Sequence, residues 1–151
     1  MDIFKVLREN FVTQGMLDEE VKLLSEKFRA AHYKEGDVII EEGNPSSELY
    51  VIDKGRVSVQ IYSTRAKGEK EIIAYLKDGD VMGEFSFIDG APRSASVIAE
   101  EDTRLICADY LELHRFLDEH EHIGYIFLKN ITRILTAKLR SMNLGIRDAT
   151  L

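Results

Sequence analysis

The sequence predicts a mainly β protein with flanking α-helices: a β-sandwich or jelly-roll barrel with short N-terminal helices and a long C-terminal helix. Two observations predict it. Glycines at Gly36, Gly43, Gly55, Gly68, Gly79 and Gly90 separate short runs rich in β-branched and aromatic residues, the grammar of strands joined by tight turns. On either side, apolar residues return at three- and four-residue steps, the period of a helix packed on one face.

Phe4, Leu7 and Phe11 carry that period first, and Leu17, Val21, Leu24 and Phe28 repeat it after Gly15 interrupts, which predicts two short amphipathic helices. Asp18, Glu19 and Glu20 crowd the start of the second, where negative charge suits the positive end of the helix dipole. The expected strands are Val38–Ile40, Leu49–Ile52, Val57–Tyr62, Ile72–Leu76, Ser96–Ala99 and Leu105–Ala108. In Val57–Tyr62 the alternation puts Val57, Val59 and Ile61 on a buried side and Ser58, Gln60 and Tyr62 on a wetter one. Arg65 to Lys70 reads as a solvated hairpin tip.

After Cys107 the chain turns helical, with Leu111, His114 and Leu117 on one face, then a long helix from about 119 to 144 that Gly145 is expected to stop. Ile131, Leu135, Leu139, Met142 and Ile146 form an apolar seam on it, longer than the end of a small barrel needs, which either covers a pocket or pairs with a second copy, and a homodimer is expected. A chain of 151 residues with 44% apolar content is expected to form one domain: helices over 1–30, the β-barrel over 31–109 and helices over 110–147.

The stretch from Gly83 to Ser96 carries the chemistry. Gly83 allows close backbone approach, Phe85, Ser86 and Phe87 open a helical turn whose first N–H groups lack acceptors, and Arg93 supplies a countercharge for an anion. Glu84 would repel that anion unless it accepts a hydrogen bond from a neutral hydroxyl on the same ligand, and a sugar phosphate offers both groups. Asp89, Gly90 and Pro92 make a turn before Arg93.

Gly83-Glu84-Phe85-Ser86 followed by Pro92-Arg93-Ser94-Ala95-Ser96 resembles the phosphate-binding cassette of cyclic-nucleotide-binding domains. That family includes catabolite-activator-type regulators, kinase regulatory subunits and nucleotide-gated channels. The resemblance implies a ligand site of Gly83, Glu84, Phe85, Ser86, Arg93, Ser94 and Ala95, with Glu84 on the ribose 2′-hydroxyl and Arg93 on the cyclic phosphate. It implies a ligand, cAMP or cGMP, and no cofactor. It places Lys138 and Leu139 where activator-type relatives read adenine with hydroxyl side chains, so the base stays open.

Other functions are set aside on composition and spacing. A net charge of −7 argues against a duplex-DNA surface, and the chain is expected to carry no DNA-reading unit after the long helix. No basic pseudosubstrate cluster lies within Met1–Phe28, so the expected output runs through an unknown partner protein or the dimer interface. The apolar run Ile72–Leu76 is too short for a membrane span, Met1–Glu9 is too charged for a signal peptide, and one cysteine allows no internal disulfide; a cytoplasmic protein is expected. His120 and His122 share a face only on a strand, so no metal site is expected. No serine stands in a nucleophile motif, and no enzyme is expected. The competing expectation is a dimeric scaffold module that keeps the cassette without using it.

Overall fold

The computed structural model describes residues 1–150, with side chains described as far as Gly145. Three short helical pieces come first: α1 (Ile3–Arg8), a 3-10 turn (Phe11–Thr13) and α2 (Asp18–Ser25). Asp2 caps α1 by accepting from the Lys5 N–H at 3.2 Å, and Asn10 caps the 3-10 turn by accepting from the Val12 N–H at 3.0 Å. Leu17 has no side-chain oxygen to cap α2, so Glu20 reaches back and accepts its N–H at 3.0 Å. Leu7, Val21, Leu24 and Phe28 are buried, but Phe11 and Leu17 are exposed, because the chain turns at each of them instead of extending one helical stripe.

Eight strands follow: β1 (Arg29–Tyr33), β2 (Val38–Ile40), β3 (Leu49–Lys54), β4 (Arg56–Tyr62), β5 (Lys70–Lys77), β6 (Val81–Met82), β7 (Ser96–Ala99) and β8 (Thr103–Ala108). They make two antiparallel four-stranded sheets, β1-β8-β3-β6 and β2-β7-β4-β5, the sandwich that the glycine spacing predicts. α3 (Glu84–Asp89) sits between β6 and β7, and α4 (Tyr110–Glu119) and α5 (Glu121–Thr150) close the chain.

The first sheet is covered on both faces. Leu49, Val51, Val81, Ile106 and Ala108 pack under the helices with Leu7, Leu113 and Phe127, while Tyr50, Ile52, Met82, Leu105 and Cys107 face Ile39, Val57 and Val97 of the second sheet. Double coverage is why the Leu49–Ile52 run is apolar at every position instead of alternating. On β4 the expected alternation is corrected: Ser58 is fully buried beside Val57, and its Oγ accepts from Gln60 Nε2 at 2.9 Å, where a register shift between Val59 and Gln60 bends the strand.

α5 is longer than expected and runs through Gly145, where an added Cβ would meet nothing within 4 Å, so nothing in the packing forces a stop there. Its first half is anchored: Asn130, 1% exposed, donates to the Val12 and Gln14 carbonyls at 2.9 and 3.0 Å. Ile131 is fully buried in this chain's own core, which removes it from the expected dimer seam. The side chain of Ile146 lies outside the described residues. The outward face instead shows Tyr125, Leu128, Thr132, Leu139 and Met142, with Leu139 and Met142 exposed, while Leu135 between them is half-buried against this chain's own core. No helix among the described residues is long and apolar enough to cross a membrane.

Candidate ligand site

Gly83 ends β6 with φ +81°, a left-handed conformation that L side chains rarely adopt, and caps α3. Its position admits no side chain. A Cβ there would lie 2.7 Å from both Arg93 Nη1 and the Glu48 carbonyl oxygen. The first N–H groups of α3 have no intrahelical acceptor. Glu84 and Ser86 are each 3% exposed, whereas Phe85 stands out to solvent.

Arg93 is 4% exposed, and its burial pushes the guanidinium down from its ordinary pKa, an effect that Tyr50, Glu48 and Glu84 oppose. Its Nε donates to Ser46 Oγ at 3.0 Å, Nη1 to the Gly83 carbonyl at 3.2 Å and Nη2 to the Glu48 carbonyl at 2.8 Å. A guanidinium has five N–H donors, so three bonds to neutral oxygens leave two for an anion. The nearest carboxylate, Glu48, stands at 3.7 Å and accepts from the Tyr50 hydroxyl at 3.3 Å. Burial, with Glu48 beside it, holds that phenol above its ordinary pKa.

Glu84 pairs with Lys138, which reaches down from α5. The Lys138 ammonium also lies 5.8 Å from the centre of the Phe85 ring. Thus Gly83, Glu84 and Arg93 converge, with Ser86 buried in the same helical turn, and Lys138, expected near the base, is placed against the carboxylate expected on the ribose. Ser94 is exposed at a bend, Ala95 is half-buried beside Arg93 in sequence, and Leu139 is 59% exposed.

Several participants carry no sequence signal. Ser46 and Glu48 precede β3 and approach Arg93 across more than forty residues, so no local spacing announces them. Ser96 Oγ accepts from the Glu42 N–H at 2.9 Å and from Lys70 Nζ at 3.2 Å, tying the end of the cassette to the turn after β2 and to the start of β5. His114 on α4 donates through Nε2 to the Phe87 carbonyl at 2.6 Å, and its ring lies 4.4 Å from that of Phe87 and 4.2 Å from that of Tyr110. This links α3 directly to the helices behind it. His120 and His122 point elsewhere, to the Phe116 carbonyl at 2.9 Å and to Glu20 at 2.6 Å.

The family described as "Cyclic nucleotide-binding domain" matches residues 30–120. The chain is 33% identical over 133 residues to the cyclic AMP receptor protein of Thermus thermophilus, covering 86% of this chain and 57% of that protein. It is 30% identical over 96 residues to the human cGMP-dependent protein kinase 2, covering 64% of this chain and 12% of the kinase. The chain therefore spans little more than half of the first relative and a small part of the second. The crystal structure of a cyclic nucleotide-binding domain from Methylobacillus flagellatus superposes with a TM-score of 0.87 at 28% identity, covering 98% of this chain and 84% of that one.

Proposed function

Since the chain belongs to the cyclic nucleotide-binding domain family, we propose that it is a receptor for a cyclic mononucleotide, cAMP or cGMP. The observation that carries this reading is the buried Arg93, walled by carbonyl and hydroxyl oxygens and holding two N–H donors in reserve beside a glycine whose missing side chain leaves room for the guanidinium. Arg93 takes the cyclic phosphate as a fork, helped by the first N–H groups of α3, with Ser94 and Ala95 at its edge. Glu84 takes the ribose 2′-hydroxyl, while Lys138 and Leu139 on α5 lie toward the base. Gly83, Phe85 and Ser86 shape the turn that brings these groups together.

The role is binding without catalysis. The charged groups at the site, Arg93, Glu84, Glu48 and Lys138, are engaged with one another or with backbone oxygens. Ligand that draws α3 toward the phosphate pulls the Phe87 carbonyl and, through His114 and Tyr110, the start of α4, so differential affinity for two positions of α4 and α5 is the signal. The output is a change in a twofold pairing along Tyr125, Leu128, Leu139 and Met142, or contact with a partner protein in the cytoplasm. A charge of −7 makes duplex DNA a poor partner for this stretch of chain.

One observation favours a second reading. Arg93 and Glu84 both find partners inside the chain, as a cassette kept only for the scaffold also requires. A thermal-shift panel of cyclic and linear nucleotides separates the two. A ligand at a hundred times its dissociation constant stabilises by about 2.7 kcal/mol. The receptor reading expects cyclic nucleotides, and not linear ones, to produce that shift; a flat panel leaves the scaffold.

A further inference from the structure

Two cations and two carboxylates share the site, Arg93 and Lys138 against Glu48 and Glu84, so its formal charge is zero. Lys138 answers Glu84. Glu48 has Arg93 alone: its carboxylate stands 3.7 Å from Arg93 Nη2, and among the described residues it makes no other ion pair. The Tyr50 hydroxyl, donating at 3.3 Å, keeps it there. The backbone carbonyl of the same residue accepts from Nη2 at 2.8 Å, so Glu48 both orients the guanidinium and puts a negative charge beside it.

That charge faces whatever Arg93 takes up. Nε, Nη1 and Nη2 each give one N–H to an oxygen of this chain, which leaves one donor on Nη1 and one on Nη2. An anion oxygen bonded to Nη2 at the usual ~2.9 Å lies no more than about 6.6 Å from the Glu48 carboxylate, inside the ~8 Å screening length of physiological salt. Repulsion by Glu48 therefore acts on any anion held by Arg93 and grows with the charge of that anion. A cyclic phosphodiester carries one negative charge, whereas a phosphomonoester carries nearly two at about pH 7. Resting on the cyclic-nucleotide reading of the site, we propose that Glu48 is a specificity-determining residue, a charge filter that admits a monoanionic cyclic phosphate to Arg93 and turns away the dianionic phosphate of linear nucleotides.

The test is calorimetric titration of the full chain near pH 7 with cAMP, then with 5′-AMP and its phosphate methyl ester as competitors, repeated in the guanine series. The methyl ester is linear like AMP and monoanionic like cAMP, so it separates charge from ring closure. Wild type should bind the ester on the order of tenfold more tightly than AMP. Glu48→Gln keeps the backbone carbonyl and should gain on the order of tenfold for cAMP and the ester and on the order of a hundredfold for AMP, bringing ester and AMP within about threefold. Glu48→Asp keeps the charge and should keep the wild-type order. A residue that only braces Arg93 predicts the opposite sign, with every ligand weakened in Glu48→Gln. Weaker or unchanged binding in that variant, AMP that still fails to compete in it, or equal affinities of wild type for AMP and its ester overturns the filter and leaves cyclic-nucleotide binding intact. Failure of wild type to bind any cyclic nucleotide overturns both. The wild-type ratio of ester to AMP is decisive by itself, so the test does not depend on how well a variant folds.

Discussion

Gly83 and Arg93 occupy one space: a methyl group on the first would stand 2.7 Å from a guanidinium nitrogen of the second. The glycine conformation and the arginine position are thus one feature of the site, reached from opposite ends of the cassette. Gly83→Ala adds a left-handed penalty of roughly 1–2 kcal/mol to that clash. The expected outcome is a chain that still folds, melts several degrees lower and binds cyclic nucleotide at least about tenfold more weakly, because Arg93 must shift. Melting curves and titration of the same preparation check it; full affinity in Gly83→Ala would mean that Arg93 has room to spare.

Glu84 is expected to hold the ribose. Replacing it with Gln keeps an acceptor oxygen without the charge, and Ala removes the acceptor, so the loss should grow from Gln to Ala, reaching roughly 1.5–3 kcal/mol. A 2′-deoxy cyclic nucleotide should lose affinity against wild type and little more against Glu84→Ala. Non-additive losses in that cycle support the contact. Fully additive losses would place the 2′-hydroxyl elsewhere.

The outward stripe on α5 is expected to be a twofold seam, since Leu139 and Met142 are each about 60% exposed and a continuous apolar stripe is an association surface. Leu139→Glu should convert a dimer to a monomer in light scattering without lowering the melting temperature of the fold at low concentration. Ile131→Ala, by contrast, should cost about 2–5 kcal/mol of stability, because that side chain fills this chain's own core. A wild-type chain that stays monomeric at high concentration would contradict the seam.

Two glycines in the same helix should respond with opposite signs. Ala at Gly145 meets nothing within 4 Å and should stabilise by up to about 1 kcal/mol, the ordinary helix-propensity gain. Ala at Gly124 would place its Cβ 2.6 Å from the Leu117 carbonyl oxygen, so the same substitution should destabilise by forcing α4 away from α5. Chemical denaturation of the two variants decides this, and equal effects would show that Gly124 is not a packing contact.

The parts legible in the sequence are those whose signal is local. Strands bounded by glycine could be read directly, and the cassette could be read because Gly83, Glu84 and Arg93 lie within eleven residues. β1 escaped because Arg29-Ala-Ala-His-Tyr has little apolar alternation and becomes a strand by pairing with β8, seventy residues away and more. β6, with two residues, is too short to show a period. On α5 both faces are apolar, Ile123, Phe127 and Ile131 inward and Tyr125, Leu128 and Leu139 outward, so a single stripe drawn along the sequence mixed them. Ser46, Glu48, His114 and Lys138 reach the site from distant elements, and only the fold brings them there.

Whether Arg93 holds the phosphate is tested most directly by calorimetric titration of a cyclic nucleotide into wild type and Arg93→Ala, each shown to be folded by its melting transition. Truncating Arg93 leaves the Ser46, Gly83 and Glu48 oxygens without their donor, so some loss of stability accompanies the change and must be measured separately. Wild type is expected to bind, and Arg93→Ala to lose roughly 2–4 kcal/mol of affinity, because a buried phosphate loses its countercharge. Unchanged affinity in a folded Arg93→Ala chain would contradict this and place the phosphate elsewhere.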